Sequence, residues 1–396
     1  MPFLDPVDET FFEFVEACLN HVQTPVLQRK FAALGGVDML VRLCAMSVND
    51  EVIVKACRAL WMLLQMEGVA EGGGRHAVVN AMKIKAAGGV TAFMAQLRRS
   101  RNDAVLAQAS GALKALSEVY VPNMGIQGSE GWGTEGLNEG CGDYYEVLLS
   151  LLRRTQSIAV HASVGGLLLQ AALMPGEPPR EVRAGTVEVI VRQCQLQRAP
   201  EALLPMLDTL CVLVAEDEAR QRLAGCGGVE ALVGVLSSGV VQAEWDAVRS
   251  SAANALANLM AGQGRSVHEY QQRVGAAGGS EALLRVCGRA VAGPPDQWQS
   301  RLVEQASGAL CNVSFENDAQ RVKLGELGAC ELFCRVCVAC EGNPSGHARI
   351  LEQACAVLGN VAKKNRTNRI RIGKAGGAQA LAAVLARLSR SGGGGP

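Results

Sequence analysis

A seven-residue phrase keeps returning along this chain. Lys83-Ile84-Lys85-Ala86-Ala87-Gly88-Gly89 comes back as Arg222-Leu223-Ala224-Gly225-Cys226-Gly227-Gly228, as Arg273-Val274-Gly275-Ala276-Ala277-Gly278-Gly279 and as Arg371-Ile372-Gly373-Lys374-Ala375-Gly376-Gly377. Looser copies begin at Lys30, ending Gly35-Gly36, and at Lys323, ending Gly328-Ala329. Outside the degraded middle of the chain the phrase recurs at roughly 43 to 54 residues, which is the period of stacked helical units and not of one globular core. Such a chain buries its apolar faces between successive copies, and its usual work is binding.

Each phrase opens a longer sentence. After the glycines runs an amphipathic stretch such as Val229-Glu230-Ala231-Leu232-Val233-Gly234-Val235-Leu236, with counterparts beginning at Val37, Val90, Ser280, Cys330 and Ala378. Its apolar residues recur at three- and four-residue spacing, which is one helix face. A loop follows, then a third helix of small residues. Gln305-Ala306-Ser307-Gly308-Ala309-Leu310-Cys311-Asn312-Val313 matches Gln108-Ala109-Ser110-Gly111-Ala112-Leu113 and Gln353-Ala354-Cys355-Ala356-Val357-Leu358-Gly359-Asn360-Val361. Small residues every third or fourth place predict close helix approach. The Gly-Gly pair predicts a sharp turn that needs a residue tolerant of positive φ.

This unit is a short helix ending in Ala-Gly-Gly, a second helix, and a third reading small-x-Gly-Ala-Leu-x-Asn-Leu/Val. It resembles the armadillo repeat, over residues 25–390 and most closely from Arg222 onward. Around Asp143 to Ala172 and Arg180 to Ala215 the glycine pair and the Asn are missing, but the Gly-Gly turn favours armadillo over the neighbouring HEAT repeat. The resemblance implies an all-α fold: a right-handed armadillo-type α-solenoid of about seven to eight repeats. Residues 1–24 are expected to form an N-terminal capping helix, with Phe11, Phe12, Phe14, Val15 and Leu19 covering the first repeat. A Gly-rich insertion over residues 120–142, carrying Trp132, is expected on the surface, and residues 391–396 as a flexible tail.

Composition excludes several classes. Only 4% of residues are aromatic and 45 are Gly, which suits layered helices and suits a catalytic fold poorly. No run of about 20 apolar residues predicts a transmembrane helix. Met1-Pro2-Phe3-Leu4-Asp5 lacks the basic flank of a signal peptide, and Pro2 stands where N-myristoylation requires Gly. A soluble, intracellular, cytoplasmic protein is expected, with nuclear or cytoskeletal residence open. The Gly-rich stretch lacks the Gly-Lys-Ser/Thr ending of a phosphate-binding loop. His21, His76, His161, His268 and His347 have no Cys or Asp partner at catalytic spacing and are expected at surfaces or helix caps. The expectation is a protein that is not an enzyme.

Cysteine is abundant, at 14 residues. Cys330, Cys334, Cys337 and Cys340 raise the question of zinc or an iron–sulfur cluster. In the repeat alignment, however, Cys330 falls where other copies place Val37, Val90 and Val229, and Cys334 falls with Val41, Val233 and Leu284. Cys337 coincides with Cys44, Cys287, Leu236 and Leu385. These are core seats, and four ligands along one straight helix cannot enclose a tetrahedral ion. The thiols are expected to act as small hydrophobes, with no metal and no cofactor, in a reducing compartment.

In armadillo proteins the third helices line a concave groove and their Asn side chains face it. The aligned seat here reads Met62, Ala115, Leu168, Val212, Asn258, Asn312, Asn360. An Asn amide both donates to and accepts from a backbone peptide group, so a row of them holds an extended segment without demanding a sequence. The alternative is that each Asn bridges neighbouring helices internally. The family's nuclear-import adaptors add a Trp four residues before the Asn; Asn254, Gly308 and Ala356 stand there instead, which counts against that role.

Formal net charge is zero, but it is unevenly spread. Asp5, Asp8, Glu9, Glu13 and Glu16 precede any Lys or Arg, and no acidic residue follows Glu352. Lys363, Lys364, Arg366, Arg369, Arg371 and Lys374 accumulate beyond Asn360, with Arg387 and Arg390 after them. The expected function is a non-catalytic protein–protein interaction scaffold or adaptor. Its expected partner is an extended, acidic or phosphorylated protein segment held by Asn258, Asn312, Asn360, Lys363, Lys364, Arg366, Arg369 and Arg371. Nucleic acid and membrane insertion are not expected. The alternative is a regulatory armadillo protein acting on a small GTPase or a cytoskeletal or axonemal component.

Overall fold

Each recurring phrase folds as the end of one helix, a tight turn and the start of the next. The computed structural model describes residues 13, 15–18, 25–65, 73–120, 144–173, 180–240, 243–262, 264–340 and 347–391. The capping helix expected over residues 1–24, the Gly-rich insertion expected over 120–142 and the tail expected over 391–396 lie almost wholly outside these. Glu13 and residues 15–18 are helical; Val15 and Cys18 are buried, and Glu16 pairs with Lys55.

Among the described residues there is no strand, and the contacts divide the chain into two lobes. The first lobe holds residues 1–189 with 201–209, the second 190–200 with 210–396. The first contains α1 (Pro25–Ala33), α2 (Gly36–Met46), α3 (Asp50–Leu64), α4 (Gly73–Ala86), α5 (Gly89–Arg99), α6 (Asp103–Tyr120), α7 (Tyr144–Arg154) and α8 (Ile158–Leu173). Helices α9 (Arg180–Leu196) and α10 (Pro200–Leu213) are divided between the lobes. The second lobe continues with α11 (Asp217–Gly225), α12 (Gly228–Ser237), α13 (Glu244–Leu259), α14 (Arg265–Ala276), α15 (Gly279–Ala290) and α16 (Ser300–Ser314). It ends with α17 (Asp318–Glu326), α18 (Ala329–Cys340), α19 (Ala348–Ala362), α20 (Arg366–Lys374) and α21 (Gly377–Ser391).

The turn between first and second helices shows why two glycines are used. Gly227 sits at φ 80°, in the left-handed region where a Cβ is penalised. A Cβ on Gly228 would lie 2.2 Å from Leu223 Cδ1 and 2.6 Å from the Leu223 carbonyl oxygen, so the second glycine lets α12 fold back against α11. Gly35, Gly88, Gly278, Gly328 and Gly376 repeat the left-handed geometry of Gly227. The repeated phrase is therefore one structural device.

Packing follows like with like. In the first lobe the third helices α3, α6 and α8 pack in succession, and α2 packs on α5. In the second lobe α13, α16 and α19 pack in succession, as do α12 with α15 and α18 with α21. On α16 the buried residues are Leu302, Val303, Ala306, Ser307, Ala309, Leu310, Val313 and Ser314. Ala306 and Ala309 supply the close approach, while a fully buried Leu310 contributes ~1.5–3 kcal/mol of apolar burial. Asn317 and Asn365 cap the helices that follow, accepting from the backbone N–H of Gln320 (3.1 Å) and Asn368 (2.9 Å). Stacked three-helix units of this kind make an all-α solenoid.

Candidate functional site

The third helices of the second lobe carry a ladder of amides with one geometry. Asn258 Nδ2 donates to the Cys211 carbonyl (3.1 Å), Asn312 Nδ2 to the Ala257 carbonyl (2.9 Å) and Asn360 Nδ2 to the Cys311 carbonyl (3.0 Å). Each acceptor is the residue just before the ladder seat on the preceding third helix. One N–H per amide is thus spent inside the fold, bridging successive repeats, as the internal alternative anticipated. The three side chains are half-buried, and none of their Oδ1 atoms accepts a hydrogen bond among the described residues. An amide carries two N–H donors and one carbonyl acceptor, so each seat keeps one donor and one acceptor. The internal bond also fixes the plane of the amide, which lowers the entropy cost of using what remains.

The ladder is tied down from beneath. Gln271 is buried and its Nε2 donates to the carbonyls of Asn312 (2.8 Å) and Phe315 (2.9 Å). Asn317 Nδ2 in turn donates to Gln271 Oε1 (3.2 Å). One layer later the buried Asn368 Nδ2 donates to the carbonyls of Val361 (2.9 Å) and Arg321 (2.8 Å). These buried amides leave the C-terminal ends of α16 and α19 little freedom.

Burial phase corrects one seat of the aligned row. Seven of the eight buried residues of α16 recur on α8 as Val160, His161, Val164, Gly165, Leu167, Leu168 and Ala171. Leu168 therefore takes the place of Leu310 in the core, and the seat matching Asn312 is Gln170. Its Oε1 is buried with no hydrogen-bond partner among the described residues. The same phase puts His161 at a core seat, 1% exposed, with Nε2 3.0 Å from the Thr155 carbonyl. The expectation of a surface or capping role for His161 is overturned: burial holds its pKa below the ordinary value and keeps the ring neutral.

One helical turn beyond Asn360 the cations begin. Lys363, Lys364, Arg366 and Arg369 are exposed, Arg371 is half-buried, and none forms an ion pair among the described residues. Lys364 turns the chain from α19 into α20 at φ 54°, a left-handed conformation that costs a non-glycine residue energy. The rest of α20 contributes no acidic side chain.

The cysteine-rich helix α18 turns its thiols into the core. Cys330, Cys334, Cys337 and Cys340 are all fully buried, and no cluster of His, Cys, Asp or Glu suited to a metal occurs among the described residues. Burial pushes the thiols of Cys330 and Cys340 up to about 11. Cys330 Sγ and Cys334 Sγ face the carbonyls of Asn368 and Ile372, each at 3.9 Å. These are packing contacts at the core seats expected from the alignment. No helix among the described residues is long and apolar enough to cross a membrane.

Solved structures share this architecture. An engineered protein is 22% identical, with 95% of this chain and 91% of that chain covered and a TM-score of 0.62. The fold is armadillo-like. A designed armadillo repeat protein also matches, at 18% identity over 70% of this chain and 99% of that chain with a TM-score of 0.49. No family model and no curated protein matches the chain. Within the armadillo-like unit, the first helix, the glycine turn, the second helix and the third helix fall where the repeated sequence puts them, from Asp217 to Ala362.

Proposed function

We propose that this chain is a non-catalytic protein-interaction scaffold, and that the third-helix row of its second lobe holds an extended partner segment. Asn258, Asn312 and Asn360 would each offer one N–H and one Oδ1 to a peptide group of the partner. Acidic or phosphorylated side chains of the same segment would meet Lys363, Lys364, Arg366, Arg369 and Arg371. The observation that carries this reading is the ladder itself: three aligned amides, each fixed by one internal bond and each with an unused acceptor. Main-chain recognition supplies affinity with little sequence demand, and the neighbouring cations supply direction and electrostatic steering. The bland use of the amides as inter-repeat bridges accounts for one donor per residue and leaves the acceptor row unexplained. A soluble cytoplasmic setting, and partners that are proteins and not nucleic acid, belong to the same proposal.

Proximity capture of partners in cells tests it with two variants of the full chain. One carries Asn258→Ala, Asn312→Ala and Asn360→Ala; the other carries Lys363→Glu, Lys364→Glu, Arg366→Glu and Arg369→Glu. Circular dichroism confirms that each is folded. The expected outcome is that one set of partners disappears from both variants. An unchanged partner list in both defeats the proposal.

A further inference from the structure

The third-helix row of the first lobe carries no Asn ladder, but it does carry a hollow. About 250 Å3 opens between α3, α6 and α8. Its floor is α6, where Ala107, Gly111 and Ala115 follow one another at four-residue steps and so share a face. One wall is the Trp61 indole, 38% exposed, on α3. Ser163 of α8 stands opposite, its Oγ 4.0 Å from where a Gly111 Cβ would lie.

Register explains why the hollow exists. By burial phase Gly111 matches Gly308 of the second lobe, and Ser163 matches Gln353. At Gly308 the long side chain covers the glycine, with Gln353 Oε1 3.7 Å from the site of a Cβ. The shorter serine approaches the matching point at Gly111 only to 4.0 Å and fills less of the space beside it, where the hollow opens. Gly166 adds a second constraint. A Cβ there would lie 2.6 Å from Lys114 Cε, so the bare glycine seats the lysine stem against α8. Lys114 Nζ then pairs with Glu118 at 3.0 Å.

That ion pair decides what the hollow accepts. Lys114 and Glu118 neutralise each other at the rim, so an anionic guest meets the carboxylate and a cationic guest meets the ammonium. The volume falls short of the ~300–1,000 Å3 of small-molecule sites and suits a single side chain. The Gln108 side chain, half-buried at the rim, has no hydrogen bond among the described residues. We propose that this hollow seats one uncharged aromatic or bulky aliphatic side chain of an extended protein partner. The side chain stacks on Trp61, and the adjoining peptide group of the partner pairs with the Gln108 amide. The site is separate from the Asn ladder and stands without it.

The test selects random twelve-residue peptides displayed on phage against the full chain. Enriched peptides are then titrated against wild type, Gly111→Leu, Ser163→Gln and the Asn258→Ala, Asn312→Ala, Asn360→Ala variant. Gly111→Leu fills the hollow from its floor, into open space, and Ser163→Gln restores the cover found over Gly308. The expected result is a class of peptides sharing one aromatic or bulky aliphatic position. It binds the filled and covered variants about thirtyfold more weakly, as for loss of a buried anchor, and binds the Asn variant unchanged. On wild type the Trp61 indole N–H resonance, assigned by its absence in Trp61→Phe, shifts on peptide addition. Selection of no peptide, a charged anchor, equal binding to filled and open proteins, or an unmoved Trp61 resonance each overturns the proposal.

Discussion

Replacing Asn312 by Ala and, separately, by Asp isolates what a ladder amide does inside the fold. Asn312 Nδ2 donates to the Ala257 carbonyl at 2.9 Å from a half-buried position on α16. Losing a neutral hydrogen bond of this kind costs ~0.5–1.5 kcal/mol. Ala recovers roughly 0.7 kcal/mol of helix propensity over Asn in a helix interior. The balance for Asn312→Ala is a loss of about 0–1 kcal/mol. Asn312→Asp keeps the shape but aims a carboxylate oxygen at the same carbonyl, with no donor between them. The lost bond is then joined by desolvation of the charge, and the cost rises to ~2–3 kcal/mol at neutral pH. Acid reverses this. A half-buried carboxyl facing an acceptor has a folded pKa above its unfolded value of ~3.9. The folded state therefore takes up the proton first, and stability returns as pH falls through that folded pKa. Urea titrations of the three proteins, compared at neutral and mildly acidic pH, read the difference as midpoint shifts at constant slope. Equal midpoints for the Ala and Asp proteins at neutral pH would refute the reasoning, because Nδ2 would then make no bond to Ala257 in solution.

Three further outcomes are expected. Gly227→Ala places a Cβ at φ 80° with nothing nearer than Glu230 Oε2 at 4.0 Å, so its cost is conformational, ~1–2 kcal/mol. Gly234→Ala in the interior of α12, with no atom within 4 Å, gains ~0.5–1 kcal/mol, and urea midpoints should move in these opposite directions. Alkylation followed by mass spectrometry should label Cys355 well before Cys311. The hydrogen bond from Cys337 lowers the Cys355 thiol below its ordinary value and favours its reactive thiolate, whereas burial pushes Cys311 up to about 12. His161 is held neutral by burial, its folded pKa depressed below the unfolded value of ~6.5. It contributes stability above that value and loses it as pH falls through the depressed pKa, so His161→Gln should flatten the acid limb of a stability–pH curve measured by thermal unfolding.

The repeating phrase made the helix order legible because a left-handed turn leaves a glycine wherever it occurs. Core seats were legible in most units: Cys330, Cys334 and Cys337 align with Val37, Val229, Val41, Val233, Leu284, Cys44, Cys287 and Leu236, and the fold buries them as it buries those. Two aligned seats fail: Val90 is half-buried, and Leu385, on the last helix, is 66% exposed, so the expectation of a core seat there is overturned. Register on α8 was harder. Gly165-Gly166 interrupts the pattern of small and large residues, and a two-residue slip exchanges a core leucine for Gln170. With that slip, Ser163 could not be matched to Gln353, and the hollow beside Trp61 left no trace in the alignment. The ladder amides show a different limit. Spacing puts Asn258, Asn312 and Asn360 on one row, but the direction in which an amide spends its donors depends on a backbone carbonyl of the preceding repeat. The cationic run after Asn360 was plain in sequence; that it stands without ion pairs among the described residues required the packed helices around it.

One seat between second and third helices is filled by sulfur or its nearest analogue in three separate units. Cys44 and Cys57 stand with their Sγ atoms 3.5 Å apart, Cys287 lies 3.7 Å from Ser307 Oγ, and Cys337 bonds to Cys355. While the units are closed Cys44, Cys57, Cys287 and Cys337 are shielded fillers, Cys355 is half-buried, and every described cysteine is free. Opening a unit changes the status of the buried thiols at once: they meet water, ionise more readily and find one another on different chains. Heating in air should therefore be a one-way process that ends in cross-linked aggregate, while the same heating under reductant leaves a route back. The durability of this protein outside a reducing milieu is then set by how seldom a repeat opens, a rate and not an equilibrium.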